Sequence, residues 1–159
     1  FELSYEPQLG SRGKLTYTND TNYIITDKAA QVAGEPLEER IGLVRNPKLR
    51  MTNSVRLERG PWAFSLTSRL IGKVWDESEP GQLKPTSLRL GSVNEWDLGT
   101  TFTFNKNLRF NFVVKNLLDK MPPVSALYAN GALNHYEGCS PIHNVTGRRF
   151  FGSVNYAFK

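Results

Sequence analysis

The chain has 159 residues, 39% of them hydrophobic, a formal net charge of +5 and a mean hydropathy of −0.42. No run approaches the ~18 apolar residues of a membrane helix, which excludes a helical membrane protein but leaves a membrane β-barrel open, because half of every barrel strand faces water. Lysine and arginine are spread over many segments instead of clustering on one patch, which argues against a nucleic-acid partner. The lone cysteine, Cys139, can close no internal disulfide and leaves the redox compartment undetermined.

Taken in order, residues 1–8 open as a strand, and a short turn with Gly10 and Gly13 leads to a second over 14–26. A polar connection over 27–47 follows. Next comes a strand that sets Leu49, Met51, Val55 and Leu57 against Arg50, Thr52, Ser54 and Arg56. After the tight turn Arg59-Gly60-Pro61, one parity carries Trp62, Phe64, Leu66, Leu70 and Val74, and the other Ser65, Thr67, Arg69 and Lys73. Residues 76–94 form a second long connection, rich in Pro, Gly and Ser. The next strand sets Trp96, Leu98, Phe102 and Phe104 against Asp97, Thr101, Thr103 and Asn105. At the turn Asn105-Lys106-Asn107, asparagine is expected because it tolerates left-handed backbone angles. Leu108, Phe110, Phe112 and Val114 then oppose Arg109, Asn111 and Lys115, and the longest connection covers 116–147. The last stretch sets Phe150, Val154, Tyr156 and Phe158 against Arg149, Ser153 and Asn155, with Phe151 the exception.

Alternation of period two is what a strand needs when its faces meet different surroundings. The reading is an all-β chain of roughly seven antiparallel strands, joined alternately by short turns and long loops. Outer-membrane barrels have that rhythm, whereas sandwiches mix their connection lengths through Greek-key crossings. The eight steps from Trp96 to Phe104 span about 26 Å along a strand, or about 20 Å of height at a tilt of roughly 40°, close to the ~25 Å apolar band of a membrane barrel. Phe102 is expected near mid-bilayer. A soluble barrel or sandwich with the same apolar face turned inward stays open as the alternative.

Four passages resemble the C-terminal barrel region of TonB-dependent outer-membrane receptors. Val114-Lys115-Asn116-Leu117-Leu118-Asp119-Lys120, followed by Pro122-Pro123, is similar to that family's Val-x-Asn-Leu-x-Asp segment. Asn46-Pro47-Lys48-Leu49-Arg50 resembles the start of a late barrel strand, and Arg59-Gly60-Pro61-Trp62 with Arg69-Leu70-Ile71-Gly72 resembles the hairpin after it. The stretch from Gly147 to Phe158 resembles the closing strand with its terminal aromatic. Two positions depart from the pattern. Lys159 follows the terminal aromatic, and Gly152 stands one residue too far from Tyr156 for the family's assembly signal.

The resemblance implies an up-and-down transmembrane β-barrel of about 22 strands around a plugged lumen. Residues 1–159 would form its C-terminal portion, with the plug and earlier strands outside, and 27–47, 76–94 and 116–147 as long outer loops. Trp62, Phe64, Leu66, Leu70, Trp96, Leu98, Phe102, Phe104, Phe110, Phe112, Val154, Tyr156 and Phe158 would then face lipid. Arg50, Arg56, Arg69, Lys73, Arg109, Asn111, Lys115 and Arg149 would face the lumen. Gly152, Tyr156 and Phe158 would carry the signal to the outer-membrane assembly machinery, and the missing plug would couple to the TonB-type complex.

The function so implied is uptake of a scarce solute (siderophore, cobalamin or oligosaccharide) across the outer membrane of a Gram-negative bacterium, without catalysis or a cofactor. Tyr128 and Tyr136 are the candidate ligand-loop aromatics. His135, Cys139 and His143 recur at spacings of four, compatible with a soft-metal site and equally with an ordinary loop thiol, since Gly138 and Pro141 oppose a regular helix there. No nucleophile elbow, phosphate loop or dinucleotide fingerprint is present, and Asp97, Asp119 and Glu137 read as scattered carboxylates.

Overall fold

The computed structural model describes residues 1–7, 9–30, 33–76, 88–125 and 144–158. Its elements in chain order are β1 (Glu2–Tyr5), a single 3₁₀ turn (Gly10–Arg12), β2 (Lys14–Tyr23), β3 (Lys28–Ala29), β4 (Glu38–Glu39), β5 (Leu49–Arg59), β6 (Trp62–Ile71), β7 (Val74–Trp75), β8 (Arg89–Leu90), β9 (Val93–Thr103), β10 (Leu108–Lys115) and β11 (Arg149–Tyr156). Seven of them form one antiparallel sheet in the order β1-β2-β5-β6-β9-β10-β11. The pairs β3–β4 and β7–β8 are small ladders within the long connections. An all-β antiparallel chain of seven main strands is what the alternation called for.

Register fixes the two faces, because residues directly opposite each other share one. Val55 pairs with Leu66 and Leu66 with Leu98, while Phe102 pairs with Trp62 and with Phe110. Phe110 continues to Val154, and Val114 to Phe150. One face therefore carries the large apolar side chains from β5 to β11, and rings touch along it: Trp62 lies 4.5 Å from Phe102, and Phe102 lies 6.5 Å from Phe110, centroid to centroid.

The burial pattern is the inverse of a water-soluble sheet. On β6, Trp62, Phe64 and Leu66 are 43%, 42% and 37% exposed, while the alternate Ala63, Ser65 and Thr67 are half-buried. Large apolar residues normally sit inside, and a contiguous apolar patch of this extent marks a surface that something else covers. The small core of buried aliphatic residues (Val44, Val74 and Leu90) lies instead among the long connections.

The hairpins do not close at one level. The rung Tyr5–Tyr17 continues through Val55 and Leu66 to Leu98 of β9. The rung Arg59–Trp62 continues to Phe102, and the β9–β10 hairpin closes at Thr103–Arg109. Between the first hairpin and the last, the closing level slips from Leu98 to Thr103 over four strand spacings. At ~3.3 Å per residue and ~4.8 Å between strands, such a slip is a tilt of about 40°, inside the ~35–45° of membrane barrels. Strands of 10 or 11 residues at that tilt stand roughly 25–28 Å tall. Drawn along the tilt, Tyr23, Trp96 and Phe150 fall on one level near the long connections. Tyr5, Tyr17, Trp62, Phe102 and Tyr156 fall on another near the short turns.

Three expectations need correcting. Phe102 is the last residue but one of β9, so the mid-strand apolar positions are Leu66, Leu98 and Phe112. Lys73 lies outside both neighbouring ladders, because Gly72 closes onto Leu49 (N–H to O 2.9 Å) and β6 ends at Ile71. Asn105 acts through its side chain and not through a left-handed backbone: its Oδ1 accepts the N–H groups of Asn107 (2.8 Å) and Leu108 (2.9 Å), and its φ is negative. Phe104 and Phe158 stand just past the ends of β9 and β11.

Gly13 has φ +114°, and a Cβ there would collide with the Glu58 carbonyl on β5. Gly152 has open space around it. Gly13→Ala is expected to cost about 1–3 kcal/mol in denaturant-induced unfolding, and Gly152→Ala to leave the midpoint nearly unchanged.

Candidate functional site

The polar face gathers its chemistry at the end of the sheet that carries the long connections. Register sets Thr52, Arg69 and Glu95 in one row and Ser54, Thr67 and Asp97 in the next. Lys115 reaches the same point from β10. Asp97 Oδ2 accepts Arg69 Nη1 and Lys115 Nζ, both at 2.7 Å, and its Oδ1 accepts the backbone N–H of Asn116 at 2.9 Å. Arg69 Nη2 also stands 3.5 Å from Glu95 Oε2. One carboxylate thus ties β6, β9, β10 and the start of the longest connection together.

That connection leaves β10 through a fold built on asparagine. Asn116, with no exposed surface, donates through Nδ2 to Lys120 O (3.0 Å) and accepts Lys120 N–H at Oδ1 (2.8 Å). Leu117 N–H donates to Trp96 O at 2.6 Å. Asn116 and Asp119 have φ of 50° and 53°, a region that Asn and Asp enter at lower cost than other non-glycine residues. Asp119 Oδ1 accepts the backbone N–H of Arg148 at 2.7 Å, so the two ends of the connection are joined at its base.

Beside this cluster lies a cavity of about 260 Å³ lined by Arg50, Arg69, Glu95 and Asn144 and by the apolar side chains of Leu70, Ile71 and Val93. Arg50 is exposed and makes no ion pair among the described residues. A guanidinium beside a cavity lined largely by apolar side chains offers a fork of donors to an anionic group. Most other cations of this face are balanced locally, Arg56 by Glu58 at 2.8 Å and Lys14 by Glu6 at 2.9 Å. With its cationic partners in place, Asp97 is an anchor and not a base. In the sequence it is one of several scattered carboxylates; its place between the basic strands is the available signal.

The other nominated residues fall as follows. Trp62, Phe64, Leu66, Leu70, Trp96, Leu98, Phe102, Phe110, Phe112, Val154 and Tyr156 share the apolar face. Arg50, Arg56, Arg69, Arg109, Asn111, Lys115 and Arg149 share the polar one. Phe151 stands with the polar set, 5.8 Å from the Arg149 guanidinium. Gly152 and Tyr156 lie on the edge strand β11. Tyr128, Tyr136, His135, Cys139 and His143 lie outside the described residues.

In the first long connection, Glu39 Oε1 accepts the N–H groups of Asp27 (2.8 Å) and Ile41 (3.3 Å), and Oε2 accepts the Thr26 hydroxyl (3.0 Å). The Asp27 N–H, foremost among these, holds the Glu39 carboxyl below its ordinary range. A carboxyl depressed on folding contributes order that is complete above its unfolded value and is lost as pH falls through the folded one. Amide exchange at Asp27 and Ile41 is therefore expected to speed up below the usual carboxylate range in the native chain and to be pH-flat there in Glu39→Gln, after correction for intrinsic exchange.

Asp97→Asn is expected to cost about 1–3 kcal/mol, the loss of a buried anchor discounted for the solvent that reaches Arg69 and Lys115. Arg56→Gln, at an exposed pair, should change stability by less than about 0.5 kcal/mol. Denaturant midpoints of the two variants check both.

The sequence matches no protein-family model and no curated protein. Its fold matches solved structures over almost its whole length. The ferric enterobactin receptor PfeA from Pseudomonas aeruginosa, as a mutant in complex with enterobactin, superposes with a TM-score of 0.66 at 18% identity. A second PfeA mutant gives 0.63 at 17%, and the copper transporter OprC gives 0.55 at 15%. Each match covers 99% of this chain and 22% of the other. This chain thus has the fold of about a fifth of such a receptor.

Proposed function

We propose that the chain is part of the barrel wall of a TonB-dependent receptor in the outer membrane of a Gram-negative bacterium. The observation that carries this reading is the inverted sheet, with the apolar face exposed and the polar face shielded on strands staggered to a barrel's tilt. Lipid is the surrounding that makes such a sheet stable. Backbone groups are satisfied between strands, apolar side chains meet hydrocarbon, and polar ones meet water in the lumen. The aromatic levels at either end of the strands fit the interfacial girdles of such a barrel. The soluble alternative needs a second layer over Trp62, Phe64 and Leu66, and no observation favours it.

In this reading the receptor binds a scarce solute through the long connections and imports it when an inner-membrane complex acts on a plug beyond this segment. The wall is scaffold and boundary. The Asp97 cluster holds the base of the longest connection to three strands, which keeps the binding loops in place while a solute comes and goes. PfeA and OprC support solute uptake as the function. A siderophore is the class nearest to PfeA, and the unpaired Arg50 suits an anionic one; cobalamin and oligosaccharides are the other classes. Edge strand β11, with Gly152, Tyr156 and Phe158, would meet the assembly machinery and close the wall.

The test places arginine on each face at mid-strand. In a full-length receptor containing this segment, Leu66→Arg is expected to cost roughly 2–4 kcal/mol of folding into lipid vesicles. Thr67→Arg, one residue on and facing the lumen, should cost less than about 1 kcal/mol. Equal costs would overturn the assigned facing.

A further inference from the structure

The short turns leave their cations at one end of the sheet. Each carries a single basic residue and no acidic one: Arg12 before β2, Arg59 where β5 turns into β6, and Lys106 between β9 and β10. Two of the three are neighbours. The first turn closes on itself through Arg12 N–H to Leu9 O (3.1 Å) and Gly13 N–H to Gly10 O (3.3 Å). Gly13 lies so close against β5 that a Cβ on it would stand 3.3 Å from Arg59 Cβ. Arg12, the residue before it, is thereby fixed beside Arg59.

The pair lies outside the lumen. Arg59 shares a rung with Trp62 and Phe102, so it belongs to the apolar face, just beyond the aromatic level near the short turns. Both arginines are exposed, and neither makes an ion pair among the described residues. The carboxylates beside these turns in the chain are already held, Glu6 by Lys14 at 2.9 Å and Glu58 by Arg56 at 2.8 Å. Like charges set side by side repel, and an anion shared between them relieves it. Guanidinium groups grip a phosphate through paired N–H donors. On the proposed membrane reading, which this inference rests on, the pair stands at headgroup depth on the side that meets lipid. We infer that Arg12 and Arg59 form a binding site for the phosphate of an anionic glycerophospholipid in the leaflet around the short turns. The occupied site fixes the depth of the wall, with the lipid's acyl chains running along the face of Trp62 and Lys106 extending the positive rim.

The full-length receptor, in a neutral detergent, tests this by native mass spectrometry during titration with phosphatidylglycerol or phosphatidylcholine. Phosphatidylglycerol is expected to bind more tightly, because the choline ammonium offsets the charge of its own phosphate. Arg12→Gln/Arg59→Gln should weaken phosphatidylglycerol binding about 25-fold, roughly fivefold for each cation removed. Arg109→Gln removes an exposed cation near the same end from the lumen face and should leave binding unchanged. Three results would overturn the site: undiminished binding in the double variant, an equal loss in Arg109→Gln, or inorganic phosphate displacing the lipid at equal concentration. If the double variant lacks the heat-shifted gel migration of a folded barrel, the unaltered receptor decides, and equal binding of the two lipids overturns the site. Absence of the heat shift in the unaltered receptor would overturn the membrane reading instead.

Discussion

Everything in this chain depends on register. A strand alternates its side chains with period two, so a slip of one residue at any of the six ladders would carry an entire strand's aromatic set to the opposite face. The ladders do not slip. Leucine, phenylalanine and tryptophan stay in step from Leu57 through Phe64 and Phe102 to Phe110 and Val154. Tight connections set that step where they are shortest. Gly60, at φ 56°, opens the two-residue turn between Arg59 and Trp62, as turns of that type require. Where the connection is long, as between β6 and β9, side chains take over the task, and Asp97 with Arg69 holds the relation of the two strands.

The same dependence explains what could be read from the sequence. Strands whose surroundings differ cleanly between faces, such as β6 and β10, are legible because polarity alternates without interruption. β9 begins at Val93, three residues before the alternation from Trp96 becomes legible, and the reason is local. Val93, Glu95 and Asp97 are buried on the polar side and Asn94 sits on the other, so the alternation that marks the rest of the strand is inverted where loops cover it. Phe151 breaks the pattern too, at an exposed edge where register is held by one neighbour only.

The charge cluster was hidden for a different reason. Arg69 and Lys115 stand 28 and 18 residues from Asp97, and nothing local in the sequence joins them. Only once β6, β9 and β10 are laid side by side does a basic face resolve into a carboxylate with its cations around it. Asn116 and Asp119 were visible as a motif, but their work is done in the backbone: left-handed turns and bonds to main-chain groups, which residue type alone does not reveal. The wet face is therefore less positive than its arginine count implies, and Arg50 stands out because its neighbours are neutralised.

Every main strand pairs with the main strand next to it in the chain, and each inner strand is bonded on both sides. The long connections therefore carry only a small share of the sheet's hydrogen bonding, at the strand ends where Gly72 meets Leu49 and Leu117 meets Trp96. A protease that nicks the exposed residues 33–39 between β2 and β5 cuts loop, and the cut pieces remain held by a ladder ten rungs long. Such a sheet behaves mechanically as a woven panel, whose integrity lies in the cross-links between threads and not in the continuity of any one of them. Covalent continuity and structural continuity are separate properties here, which leaves the loops free to change in length and sequence without the wall having to change with them.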